Sequence, residues 1–167
     1  MEPLIHFVIP LAALTILGVQ LRRALPISLA AVLPDLDVFF HVHRSFSHSL
    51  VVILALSAPF MLLVWRTRLR KPAALGLLAA LSHPVMDLGY YTPLFWPLYG
   101  QSFRVLVDSA VRIASSPAIH LSVKVLTAPT VFSYFKTLDA PLFTGEGLMV
   151  FAVLSAATVL KALADKR

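Results

Sequence analysis

The chain has 167 residues, of which 59% are hydrophobic and 13% charged, with a net charge of +6. Soluble domains carry about 25% charged residues, so this deficit points to one integral membrane domain spanning residues 1–167. The sequence contains no cysteine, which excludes disulfides and thiolate metal sites and leaves His, Asp and Glu as the metal ligands.

Mean hydropathy is +0.85 and the isoelectric point is near 10.1. In a soluble protein such a basic balance would suggest nucleic acid. Here the basic residues sit beside apolar runs, which is the signature of membrane topology, so membrane lipid is the expected partner and nucleic acid is not. No glycine-rich phosphate loop and no internal repeat is present.

The first apolar run, from Pro3 to Leu21, is closed by Arg22 and Arg23. No basic segment precedes it and no small-residue cleavage site follows, so it reads as a retained span. It carries His6. The second run, from Ala24 to Phe40, is interrupted by Pro34, which ends or kinks a helix, and Asp35 and Asp37 follow at once. A broken helix with acids at the break is tolerated at membrane depth only where it faces protein or a wet cavity. The segment after it holds His41, His43, Arg44 and His48.

A third run, from Leu50 to Trp65, is closed by Arg66, Arg68, Arg70 and Lys71. The fourth, from Ala73 to Tyr91, carries His83 and Asp87 at an i, i+4 spacing, which puts both on one helix face. A turn rich in proline and aromatics follows, Thr92 to Gly100, suited to a membrane–water interface. Arg104, Asp108 and Arg112 then recur every four positions, which predicts a helix lying in the interface with its apolar side down. His120 reads as structural, because no other ligand type lies near it in sequence. The final run, from Gly147 to Ala164, is preceded by Glu146, where a helix dipole favours an acid, and followed by Lys166 and Arg167.

The predicted fold is therefore all-α: a polytopic membrane helix bundle of about five spans, with a broken second helix and an interfacial helix in the 103–141 region. The basic clusters place the N-terminus outside and the C-terminus in the cytoplasm of a plasma (inner) membrane. At ~1.5 Å per residue, His6 then lies ~24 Å above the cytoplasmic side, Asp35 and Asp37 ~18–21 Å, and His83 and Asp87 ~18–24 Å. His43 and His48 lie higher, in a loop. Separate segments thus deliver ligand-type residues to one outer layer, where ionisable groups are costly and mark function.

With those residues in view, the chain resembles the membrane-bound metal-dependent hydrolases, also described as LexA-binding, inner-membrane-associated hydrolases. The resemblance rests on His6, on LPDLD (Leu33 to Asp37), on HRSFSHS (His43 to Ser49) and on SHPVMD (Ser82 to Asp87), with Thr92 and Pro97 after it. It covers about the first hundred residues. Ser45 stands where that family has glycine, and Ser47 where it has threonine. His41 has no clear counterpart. The H-x-x-x-D unit is also similar to one in zinc-dependent phospholipase C enzymes.

The resemblance implies a hydrolase with His6, Asp35, Asp37, His48, His83 and Asp87 as metal ligands and His43 as ligand or base. Zinc is the expected divalent metal, with manganese as the alternative. So many donors exceed one tetrahedral ion and suit two, with an aspartate between them. The guanidinium fork of Arg44 matches phosphate oxygens, so a phosphoester with a lipid-like part is the expected substrate. The rival reading is a membrane protein that binds or transports metal without hydrolysis. The inner halves of the runs hold no ionisable residue, which argues against a transport path. Oligomeric state is not legible in the sequence.

Overall fold

The computed structural model describes residues 2–112, 118–136 and 143–165. The first helix, α1 (Pro3–Ile16), starts on a proline at its first turn, a position with no backbone donor to lose. It stops where Gly18 takes φ +84°, a conformation glycine adopts without a Cβ penalty. α2 (Leu21–Ser28) follows and passes directly into a 3₁₀ segment, Leu29–Phe40. A 3₁₀ turn, Phe46–His48, leads to α3 (Leu50–Val64), whose N-terminus is capped by the Ser49 side chain. α4 (Arg70–Met86) runs through Pro84 and ends on a 3₁₀ turn, Asp87–Gly89. Two strands, β1 (Gln101–Arg112) and β2 (Ala118–Pro129), pair antiparallel as a long ribbon. α5 (Gly145–Ala164) closes the chain, with Thr144 accepting from the Gly147 amide at its cap.

This architecture overturns the five-span all-α reading. Among the described residues the fold is mixed: five α-helices with a two-stranded antiparallel sheet. Among the described residues only α5, with 20 residues, is long and apolar enough to cross a membrane. α1 and α3 are apolar but have 14 and 15 residues. At ~1.5 Å per residue these fall short of a ~30 Å hydrocarbon core. The first apolar run is longer than the helix it forms, because Gly18 ends α1 inside it. The second helix changes winding at Leu29, five residues before the proline expected to break it, and the 3₁₀ segment continues through Pro34.

The expected interfacial helix is also corrected. Residues 103–112 are strand β1. The four-residue recurrence of Arg104 and Asp108 fits a strand as well as a helix, because four is two strand periods. Val105 and Val107 between them are β-branched and alternate, and that pattern prevails. Residues 113–117 and 137–142, also inside or beside the expected interfacial region, lie outside the described residues, as do Lys166 and Arg167.

α4 packs along the 3₁₀ segment Leu29–Phe40 on one side and against α3 on the other, while α1 packs on α2 and α5. Leu11, Leu14 and Ala24 form a small buried cluster where α1 meets α2, backed by Ile27 and Leu75. α3 and α5 leave most of their apolar side chains exposed, Leu62 at 77% and Leu160 at 67%. Helices apolar on their outer faces are suited to hydrocarbon rather than water.

Candidate metal centre

The polar residues converge at the end of the bundle where α1 and α5 begin. His6 lies near the start of α1, its Nε2 3.2 Å from Asp87 Oδ1 and its ring stacked on His83 at 3.8 Å. Asp87 caps the C-terminal end of α4, one turn beyond His83. The 3₁₀ winding turns its two acids to different partners: Asp35 to the histidines, Asp37 to the loop that follows.

That loop is wrapped around Asp37. The Ser45 amide, Ser45 Oγ and Ser47 Oγ donate to Asp37 Oδ2 at 3.0, 2.8 and 2.9 Å. Two residues in left-handed backbone, His41 (φ 59°) and Arg44 (φ 54°), bend the chain to make this possible. Non-glycine residues are uncommon there, and such outliers gather at functional sites. Arg44 is held by its surroundings: Nε donates to Asp87 Oδ2 at 2.9 Å, and the guanidinium sits 3.9 Å over the Tyr90 ring.

Proton inventory sets the faces of the two most buried histidines. Ser47 Oγ spends its proton on Asp37, so it accepts from His48 Nδ1 at 3.0 Å. The Ala31 carbonyl can only accept, so His83 Nδ1 donates to it at 2.6 Å. Both Nδ1 atoms are therefore protonated, and the two Nε2 atoms face each other 3.1 Å apart. Two neutral imidazoles would point lone pairs at one another. A cation is needed, either a proton on one ring or a metal ion.

Asp35 lies beside this pair. Its Oδ1 is 3.5 Å from His83 Nε2 and 3.7 Å from His48 Nε2. Both Asp35 oxygens are buried and lack a hydrogen-bond partner among the described residues, as do His6 Nδ1 and His43 Nε2. A carboxylate desolvated in this way is expensive unless a cation compensates it. Asp87 Oδ2 lies 3.6 Å from His48 Nε2. Donor atoms on a tetrahedral ion with ~2.0–2.1 Å bonds are about 3.3 Å apart, close to these separations. The donors form two adjoining triads, His6, His83 and Asp87, and Asp35, His43 and His48, each with its ligand atoms within 4.8 Å of one another. The residues present thus fit a divalent metal.

Electrostatics point the same way. Burial pulls the His48 pKa down, but the carboxylates of Asp35 and Asp37 outweigh it and raise it above the ordinary histidine value. Burial pushes the Asp87 carboxyl up, but His6 and Arg44 prevail and hold it well below the usual range. These contacts keep Asp87 ionised and make His48 easy to protonate.

The structure brings all eight sequence candidates together: His6, Asp35, Asp37, His43, Arg44, His48, His83 and Asp87. Asp37 differs from the others. Its Oδ2 is saturated by the serines, and its Oδ1 lies 3.4 Å from His43 Nδ1, so it stands behind two histidines and braces them. His41 is exposed and stacks on Tyr134 at 5.4 Å, outside the cluster. His120 is exposed on β2, opposite Ala110. Glu146 is in the first turn of α5, as its spacing suggested.

Four contributors were not among the sequence's candidate site residues. Ser45 and Ser47 were visible only as departures from a motif, yet they anchor Asp37. Tyr90, one of several aromatics in its turn, carries Arg44. Thr92 is fully buried and donates to the Asp87 carbonyl at 2.9 Å, which holds the turn that presents Asp87.

No curated protein and no solved structure matches the chain. The sequence model of one family, described as YdjM inner membrane protein, matches residues 1–164. That description supports a membrane protein and does not extend to metal dependence, hydrolysis or LexA binding. Nearly the whole chain is covered, and with its long apolar α5 and lipid-suited outer faces it belongs to the YdjM inner membrane protein family.

Proposed function

We propose that the protein is a metal-dependent hydrolase of the inner membrane that cleaves a phosphoester bearing a lipid-like part. The observation that carries this reading is the buried, unpartnered Asp35 carboxylate beside two imidazole Nε2 atoms 3.1 Å apart. His48 and His83, with Asp35 and Asp87 beside them, would hold an ion, and His6 stands next to them as a further donor; zinc is the first expectation and manganese the alternative. Such ions lower the pKa of water and polarise the scissile bond.

The chain's own residues divide the remaining work. Asp37 fixes the His48 tautomer through Ser47, the arrangement that orients metal-binding imidazoles. It also receives His43 Nδ1, which leaves His43 Nε2 as a lone pair able to take a proton. His43 and Arg44 are the more open members of the cluster, with 14% and 19% of their side chains exposed, so they are the ones a substrate can meet. Arg44, braced by Asp87 and Tyr90, offers its remaining guanidinium donors to a phosphate. A cavity of about 420 Å³ between α3, α4 and the 3₁₀ segment is lined by apolar side chains such as Val52, Leu56 and Phe60 and reaches Ser47. It suits an alkyl chain.

Arg22, Arg23, Arg68 and Lys71 line a separate cavity at the opposite end of the bundle, between α2 and α4. By the positive-inside bias this end faces the cytoplasm and the metal centre faces outward, with the N-terminus outside. The test is metal analysis of protein purified without chelator, together with phosphoester turnover before and after chelation. Stoichiometric metal and chelator-sensitive turnover are expected. Metal without turnover, with metal flux into liposomes, would favour a metal-binding or transport protein.

A further inference from the structure

The β1–β2 ribbon sorts its side chains by face. Successive strand residues alternate sides, and directly paired residues share one. Val105 pairs with Val125, Val107 with Val123 and Ser109 with Leu121, so one face is almost wholly aliphatic. The other face carries Arg104, Asp108, His120, Ser122 and Lys124, through the pairs Arg104 with Leu126, Leu106 with Lys124, Asp108 with Ser122 and Ala110 with His120. The aliphatic face is uncovered: Val107 is 65% exposed, Val123 58% and Val125 63%. A contiguous aliphatic face of this kind is a liability in water and marks an interaction surface.

The location of the ribbon says what covers it. Its base is tied to the metal centre: Thr92 and Phe103 exchange backbone hydrogen bonds at 2.8 and 2.9 Å, and Arg104 Nε donates to the Gly89 carbonyl at 2.9 Å. The same end of the bundle holds the first turn of α5, the helix long and apolar enough to cross a membrane, because the Glu2 side chain before α1 packs on Gly147. The ribbon therefore leaves the bundle at a membrane boundary, beside Tyr91, Trp96 and Tyr99, residue types that favour that boundary. A two-stranded ribbon has two open edges whose amides and carbonyls need water or headgroups, so it cannot sink into hydrocarbon. On its polar face Arg104 and Lys124 outnumber Asp108, a balance complementary to anionic headgroups.

We infer that the ribbon is a membrane-surface paddle, lying flat on the leaflet next to the metal centre with its aliphatic face against the acyl–headgroup boundary of lipid. Thr92, which pairs with Phe103 at the base of the ribbon, also donates to the Asp87 carbonyl, so the ribbon and the turn that presents Asp87 share an anchor. This rests on the inner-membrane location and is independent of any hydrolase activity.

The chain lacks native cysteine, so single cysteines can be placed without a background. Val107→Cys and Val123→Cys report the aliphatic face, and Asp108→Cys and His120→Cys the polar face; all four positions are exposed and can be substituted without disturbing the bundle. Each is labelled with an environment-sensitive fluorophore in the full chain, reconstituted in vesicles of phosphatidylethanolamine and phosphatidylglycerol. Expected at 107 and 123 are blue-shifted emission and several-fold stronger quenching by lipids carrying a nitroxide near the top of the acyl chain. Positions 108 and 120 should instead respond to a water-soluble quencher. Equal response of both faces to the water-soluble quencher overturns the proposal. So does protection of 107 and 123 without lipid quenching, and disulfide cross-linking between copies of the unlabelled Val123→Cys variant would then identify a second copy of the chain as the occupant.

Discussion

His48 Nε2 and His83 Nε2 lie 3.1 Å apart although 35 residues separate them in sequence. Each ring gives its other proton away, His48 to Ser47 and His83 to the Ala31 carbonyl, so the contact needs a cation. The first prediction follows from which cation that is. His48→Ala and His83→Ala are each expected to lose bound metal and all turnover, read as metal-to-protein ratio and rate on the same preparation. A ratio of zero in wild-type protein purified without chelator would assign the contact to a shared proton instead.

Asp37 is predicted to act through the histidines it braces. Asp37→Asn keeps one oxygen for Ser45 and Ser47 but turns an NH2 toward His43 Nδ1, a buried clash of donors worth ~1–3 kcal/mol of stability. Metal affinity is expected to fall about 10- to 100-fold, the usual cost of removing an orienting partner of a metal-bound imidazole. Competition with a fluorescent chelator measures it. An unchanged affinity alongside the lower melting temperature would confine Asp37 to a structural role.

Arg44→Lys separates charge from shape. Lysine keeps the charge but lacks the Nε that reaches Asp87 and the planar group that lies on Tyr90. The proposed phosphate contact predicts a KM rise of about tenfold or more with kcat nearly unchanged. A loss confined to kcat would move Arg44 from substrate binding to the chemistry itself.

Metal retention should depend on pH in one direction. Protons compete for the imidazole lone pairs, whose unperturbed pKa is about 6.5, so metal binding releases protons and weakens as pH falls. Dialysis across pH 8 to 5 is expected to empty the site progressively as pH falls, starting above the ordinary ~6.5 because the carboxylates beside His48 raise its pKa. Content independent of pH over that range would argue against histidine ligation.

Orientation is tested by two exposed positions at opposite ends. Leu98, 80% exposed beside the site, is predicted to face outward, and Arg68 the cytoplasm. Single cysteines there, labelled in intact cells with an impermeant thiol reagent, should react at 98 only. Reaction at 68 alone places the metal centre on the cytoplasmic side.

Composition and the spacing of ionisable residues were enough to read a membrane protein with one cluster of His and Asp side chains, because such groups are too costly near hydrocarbon to be scattered at random. His83 and Asp87 were legible as a pair from helical spacing alone. The ribbon was not: Arg104 and Asp108 are four residues apart in either conformation, and only pairing with β2 decides between them. The length of the helices was likewise hidden, since an apolar run does not reveal where Gly18 turns the chain or where α2 passes into 3₁₀ winding. Nor could the sequence distinguish Asp35 from Asp37. Two residues apart, they are chemically equal until the loop folds back and Ser45 and Ser47 saturate one, leaving the other bare against two imidazoles. That difference is made by long-range hydrogen bonding, which only the tertiary structure decides.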